Sequence, residues 1–400
     1  MRGIGLVALV STAAAQYVQP YKMTYTSADP DGARDFTIKY LGAVERKQPH
    51  SGGDGTCALI KWVAFPGTNA GTEPYQMHFV KGYHRPNGTM TIDEFEQQMA
   101  ALHGGMIRYD RFMDMHVTLS TTDLDVFAAP MLRDGVALLA RHDASTGIYS
   151  IFFEVPHAIV VELQGPSLTV LRAPTWDRCA GAPTRASIDK HALARVLARM
   201  QAVPKKLPVL QPVRAVYASS QPEEAAAFVA QYFMGERASE AEALPGPGNG
   251  TCFDAQLVRW DNPDQPTTPY EMMWIQSSAP QGKGISLTDF EGYLRHLHTD
   301  DVGQHDKDVG YDEYMDFHVG LTFGDGDPLA RGLIADKVPY FLRGQYGAYC
   351  DFFIQGVGGE IFEVLAHEQS ILKDIPSWDL CGPLAAAEQE ALRVPMVEEA

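Results

Sequence analysis

The feature that most constrains this 400-residue chain is that it repeats itself. Gly55-Thr56-Cys57 recurs as Gly250-Thr251-Cys252, Pro74-Tyr75 as Pro269-Tyr270, and Thr91-Ile92-Asp93-Glu94-Phe95-Glu96 as Ser286-Leu287-Thr288-Asp289-Phe290-Glu291. Further on, Tyr109-Asp110-Arg111-Phe112-Met113-Asp114-Met115-His116-Val117 returns as Tyr311-Asp312-Glu313-Tyr314-Met315-Asp316-Phe317-His318-Val319, and Trp176-Asp177-Arg178-Cys179 as Trp378-Asp379-Leu380-Cys381. Anchors in one order along so much chain mean that one fold is made twice.

Each half divides again by its hydrophobic periodicity. An alternating strand from His116 to Ser120 leads into a helix near Asp123 to Asp134, and then come β-rich runs at Val136 to Arg141, Ile148 to Val155 and Ala158 to Leu163. The second half repeats this with His318 to Phe323, a helix from Pro328 to Lys337, and strands at Tyr340 to Arg343, Ala348 to Gln355 and Glu360 to Leu365. Fainter copies begin the halves, with strands at Lys22 to Ser27 and Arg214 to Ser219 and helices at Pro30 to Leu41 and Pro222 to Phe233. Strands at Cys57 to Phe65, Tyr75 to Val80, Cys252 to Trp260 and Tyr270 to Ile275 complete them. The expected architecture is α+β: four βαβββ modules in two domains, 16–204 and 213–385, joined by the Pro-rich linker 205–212 and followed by a tail, 386–400.

The net charge of −18 and the absence of any long basic run argue against nucleic acid or an anionic membrane as partner, because both require clustered Lys and Arg. Met1-Arg2, a short apolar stretch and an Ala13-x-Ala15 site read as a signal peptide over 1–15, so the mature chain is expected outside the cell. Sequons at Asn87 and Asn249 fit that route. Repeat symmetry pairs Cys57 with Cys179 and Cys252 with Cys381, leaving Cys350 as a buried free thiol in an apolar run.

The chemistry is concentrated in two matched pairs, His116 with Glu162 and His318 with Glu363, separated by nearly the same number of residues. A repeated strand, helix, three-strand module with a His opening its first strand and a Glu on its last resembles the vicinal oxygen chelate superfamily of glyoxalase I, extradiol dioxygenases and bleomycin-resistance proteins. The resemblance rests on Phe317-His318-Val319-Gly320-Leu321 and Ile361-Phe362-Glu363-Val364. It implies that first and last strands are sheet neighbours and that His116, Glu162, His318 and Glu363 could hold one divalent Zn, Fe, Mn, Ni or Co. The metal would act as a Lewis acid on a small oxygen-bearing substrate in an isomerase, lyase or dioxygenase, with Glu162 or Glu363 moving a proton. A glutathione-dependent role does not suit a secreted, disulfide-bearing chain.

The first modules depart from the pattern. Aligned on their helix starts, they place Lys22 and Arg214 where His is expected, with His78 and Met273 near the Glu position. If each half closes on itself, Lys22, His78 and Arg214 line metal-free pockets for a small anionic ligand; if the second modules meet, the four His and Glu residues form one metal site. The alternative to a metalloenzyme is therefore a metal-free extracellular binding protein of the same fold, or a structural module with degenerate sites.

Overall fold

A computed structural model describes residues 18–27, 29–46, 60–68, 74–81, 116–144, 146–156, 159–176, 186–202, 207–219, 221–238, 255–261, 269–276, 318–338, 340–346, 349–357, 360–368 and 370–371. The expected signal segment, both sequons, the residues read as a C-terminal tail and Cys57, Cys179, Cys252 and Cys381 lie outside them. Cys350 is buried and unbridged, and burial pushes its thiol up to about 12.

The first module runs β1 (Val18–Ser27), α1 (Pro30–Leu41), β2 (Val44–Arg46), β3 (Ile60–Ala64) and β4 (Gln76–Lys81). The second has β5 (His116–Ser120), α2 (Asp125–Arg133), β6 (Leu139–Asp143), β7 (Ile148–Glu154) and β8 (Val160–Gly165). Short strands β9 (Leu171–Arg172), β10 (Thr175–Trp176) and β11 (Ser187–Ile188) and helix α3 (Lys190–Ala202) lead to the third, which has β12 (Gln211–Ser219), α4 (Pro222–Phe233), β13 (Glu236–Ala238), β14 (Ala255–Trp260) and β15 (Tyr270–Gln276). The fourth has β16 (His318–Asp325), α5 (Asp327–Ala335), β17 (Tyr340–Tyr346), β18 (Tyr349–Gln355) and β19 (Ile361–Glu368). Gln211 and Pro212, read as the end of the linker over 205–212, belong to β12.

Local chemistry fixes the helices. At the start of α1, Asp29 accepts from the backbone N–H of Gly32 at 2.9 Å, and Pro30 occupies a first-turn position that needs no N–H donor. Gly42, left-handed at φ 69°, ends the helix. Buried Ala33, Thr37, Tyr40 and Leu41 face the sheet. The second and fourth modules share a different tie. Asp125 on α2 accepts from the backbone N–H groups of Thr169 and Val170 at 2.8 and 3.0 Å, and Asp327 on α5 from those of Ser370 and Ile371 at 2.6 and 3.2 Å. Each Asp thereby pins the loop after its module's last strand to its helix.

The modules combine in an unanticipated way. One sheet has the order β17-β18-β19-β16-β1-β4-β3-β2, joining the first module to the fourth; the other, β10-β6-β7-β8-β5-β12-β15-β14-β13, joins the second to the third. Neither half closes on itself, and the second modules do not share a sheet. The junctions are antiparallel contacts between first strands, β1 with β16 and β5 with β12, and both are irregular, after Pro20 and after Pro212. Proline cannot donate to a ladder, so it is tolerated at such a bulge.

The helix-bearing faces pack into one core: Phe36 meets Phe153 at 5.9 Å between ring centroids, Phe233 meets Phe362 at 5.1 Å, and Tyr217 meets Phe362 at 6.4 Å. Among the described residues no helix is long and apolar enough to cross a membrane.

Candidate functional site

The opposite face of each sheet carries the polar residues. In the sheet built from modules one and four, register places His318, Thr24, His78 and Trp62 side by side on β16, β1, β4 and β3. The adjacent row contains Glu363, Gly320, Lys22 and Gln76. Paired residues on neighbouring strands project from the same face, so these two rows form one surface.

Lys22 makes a buried ion pair with Glu363, and the intervening residue makes this possible. Gly320 pairs with Lys22 on one side and with Glu363 on the other, and a Cβ there would sit 3.0 Å from Lys22 Cε and 2.6 Å from Tyr21 Cε1. The lysine stem therefore crosses its neighbouring strand over bare backbone. The bulge after Pro20 also brings Tyr21 to this face, where its hydroxyl donates to Glu363 Oε1 at 3.0 Å. His318 Nε2 lies 3.3 Å from Glu363 Oε2, and His78 Nε2 2.9 Å from Gln76 Oε1. The Trp62 and His78 rings stack at 4.2 Å with planes 6° apart.

In the sheet of modules two and three, the row containing His116 continues through Val216, Met273 and Leu257 and is apolar. The adjacent row is ionic, with Glu162, Thr118, Arg214, Glu271 and Arg259. Thr118 stands where Gly320 stands in the other sheet, and its hydroxyl donates to Glu162 Oε2 at 2.8 Å. Arg141 donates to Glu162 Oε1 at 2.7 Å and Gln164 at 3.1 Å, while His116 Nε2 is 3.7 Å from Glu162 Oε2. Arg214 turns to its own module, with Nε and Nη2 at 2.8 and 2.5 Å from Glu271 Oε2, and Arg259 Nε lies 3.2 Å from Glu271 Oε1.

Burial alone would raise the Glu162 carboxyl, but Arg141, His116 and Ser150 overcome it and hold the group well below the usual carboxylate range. Burial lowers Arg141, while Arg214, attracted by Glu271 and Glu162, is raised despite burial.

The anticipated four-residue metal site is not assembled. His116 and Glu162 lie on one sheet and His318 and Glu363 on the other, and among the described residues no group of three or more His, Cys, Asp and Glu side chains could hold a metal. Nor do the residues at each site fit a divalent ion, because a tethered ammonium or guanidinium is bonded to the carboxylate the ion would need. In the first modules the register equivalent to Glu363 and Glu162, opposite the residue two beyond Lys22 or Arg214, holds His78 and Met273, while Gln76 and Glu271 lie opposite Lys22 and Arg214 themselves. Thr24, Trp62, Tyr21, Arg141 and Gly320 were not visible as site residues: Thr24, Tyr21 and Gly320 act across the junction of β1 with β16, and Trp62 and Arg141 through the register of strands within their own modules.

No family model matches the chain, and a comparison with curated proteins finds no match. In each module the first strand lies beside the last, the middle strands follow outward, and two modules join through their first strands. This is the vicinal oxygen chelate fold. Solved structures of similar outline include a candidate dioxygenase from Bacillus subtilis, 13% identical, covering 87% of this chain and 84% of that one at a TM-score of 0.48. Glyoxalase I from Zea mays is 9% identical, with 88% and 93% covered at a TM-score of 0.46. The cppA protein from Streptococcus pneumoniae is 7% identical, with 88% and 97% covered at a TM-score of 0.36. Function must therefore be argued from this chain's own residues.

Proposed function

We propose that the chain is a metal-independent extracellular protein that binds a small oxygen-bearing ligand on the polar face of the sheet formed by modules one and four. The observation that carries this reading is the Lys22–Glu363 pair: an ammonium fixed by the backbone supplies the positive charge for which this fold otherwise employs an ion. His318, His78 and Tyr21 surround the pair with groups able to exchange hydrogen bonds with a ligand. The matching face in the other sheet is filled by its own ion pairs and holds the structure together. The metalloenzyme reading, whether isomerase, lyase or dioxygenase, is favoured by no comparable feature.

The deciding experiment is metal analysis of the secreted protein, with titration of Zn, Mn, Ni, Co and Fe(II) into the intact chain and into His318→Ala and Lys22→Met variants. The expected result is no stoichiometric metal in the intact chain. One equivalent of metal that is lost in His318→Ala would overturn the proposal and restore a metal centre.

A further inference from the structure

Two buried hydrogen-bond donors on the binding face have no partner among the described residues: the Thr24 hydroxyl, on a residue only 5% exposed, and the Trp62 indole N–H. Native proteins rarely leave such groups unsatisfied, because each orphan costs about 1–3 kcal/mol. Both belong to one row, with Thr24 between His318 and His78 and Trp62 beyond His78. Strands lie roughly 4.8 Å apart, so backbone positions two strands apart are separated by roughly 10 Å. A single oxygen atom cannot satisfy both donors unless the indole folds far inward, and its stacking on His78 keeps it over the neighbouring strand.

We infer that this row binds a small carboxylate carrying a second acceptor oxygen a few bonds away, with the carboxylate at Thr24 and the second oxygen at Trp62. The inference rests on the metal-free reading of this face. Indole N–H only donates, so the group it meets must be an acceptor. At the Thr24 end the hydroxyl is flanked by two imidazoles and lies one row from the Lys22 ammonium, an environment that favours an anionic oxygen over a neutral one. The corresponding row of the other sheet has no such donors, since Val216 and Met273 occupy the places of Thr24 and His78, and Leu257 that of Trp62.

The test uses the intact secreted chain and calorimetric titration with malonate, succinate and glutarate, each beside its diamide, and with butyrate, which lacks the second acceptor. At least one diacid should bind with a Kd below about 1 mM, and its diamide and butyrate at least tenfold more weakly. Thr24→Val should weaken the diacid and butyrate alike by tenfold or more, and Trp62→Phe, which retains an aromatic ring against His78, should reduce the diacid to the affinity of butyrate. Failure of all three diacids to bind, equal binding of a diamide, or unchanged affinity in both variants would overturn the assignment. If Lys22→Met abolishes diacid binding while Thr24→Val and Trp62→Phe leave it unchanged, the metal-free face stands and only this placement falls. Stoichiometric metal uptake would remove the reading beneath it.

Discussion

The two polar faces began as copies of one another and now differ in how far their charges are satisfied. On the face of modules two and three, Glu162 is met by Arg141, Thr118 and Gln164, and Glu271 by Arg214 and Arg259. On the face of modules one and four a lysine reaches the corresponding carboxylate, and two neighbouring donors have no partner among the described residues. Much of the difference follows from one position: a glycine opens the path of Lys22 across β16, whereas Thr118 fills the same place on β5 and bonds the glutamate itself. The carboxylates of the second face are thus met by its own cations, while the first face carries two donors that no described residue meets.

The contrast can be tested from its strongest element downwards. Replacing Glu162 with Leu strands Arg141 in a buried setting and should cost about 3–5 kcal/mol in a denaturant titration. If the cost is below about 1 kcal/mol, the network is not what holds this face. Gly320→Thr should destabilise by about 1–3 kcal/mol through overpacking and turn Lys22 away from Glu363, making the first face resemble the second. A crystal structure of that variant with the pair intact would refute the routing role of the glycine.

The acid limb of stability should be steeper with Glu162 than without it. Its carboxyl is depressed in the folded chain, so the contribution is fully present above the ordinary glutamate value of about 4.3 and is lost as the pH falls through the lower folded value. Melting temperatures between pH 7 and pH 2 should therefore fall less steeply for Glu162→Gln than for the intact chain. The smallest effect is expected for Tyr21→Phe, which deletes one hydrogen bond to Glu363 and should cost about 1 kcal/mol. The residue following the equivalent proline in the other sheet is already Val213, and Val213→Ala should leave the Glu162 network unchanged in a structure.

The modules were legible in the sequence because each element writes its own period: alternation over His116 to Ser120, and a capped apolar stripe over Pro30 to Leu41. The two His/Glu pairs were legible because they recur. Module partnership was not, because β1 would present the same residues whether it met β5 or β16, and the choice is made by packing between faces. The bulges escaped notice for a related reason. Pro20 and Pro212 are the visible trace, but their effect, bringing Tyr21 to the face of Lys22, depends on a ladder with a partner some 300 residues away.

That separation also governs when the molecule can exist. The Tyr21 hydroxyl bonds a carboxylate 342 positions further along the chain. At synthesis rates of about 5–20 residues per second, β1 must wait about 20–70 s for β16 and β19 to be made. Meanwhile its edge is available to other partners, including β5, which emerges sooner. The sheet of modules two and three can close around its ion network first, occupying β5 and leaving β1 to the last strands of the nascent chain.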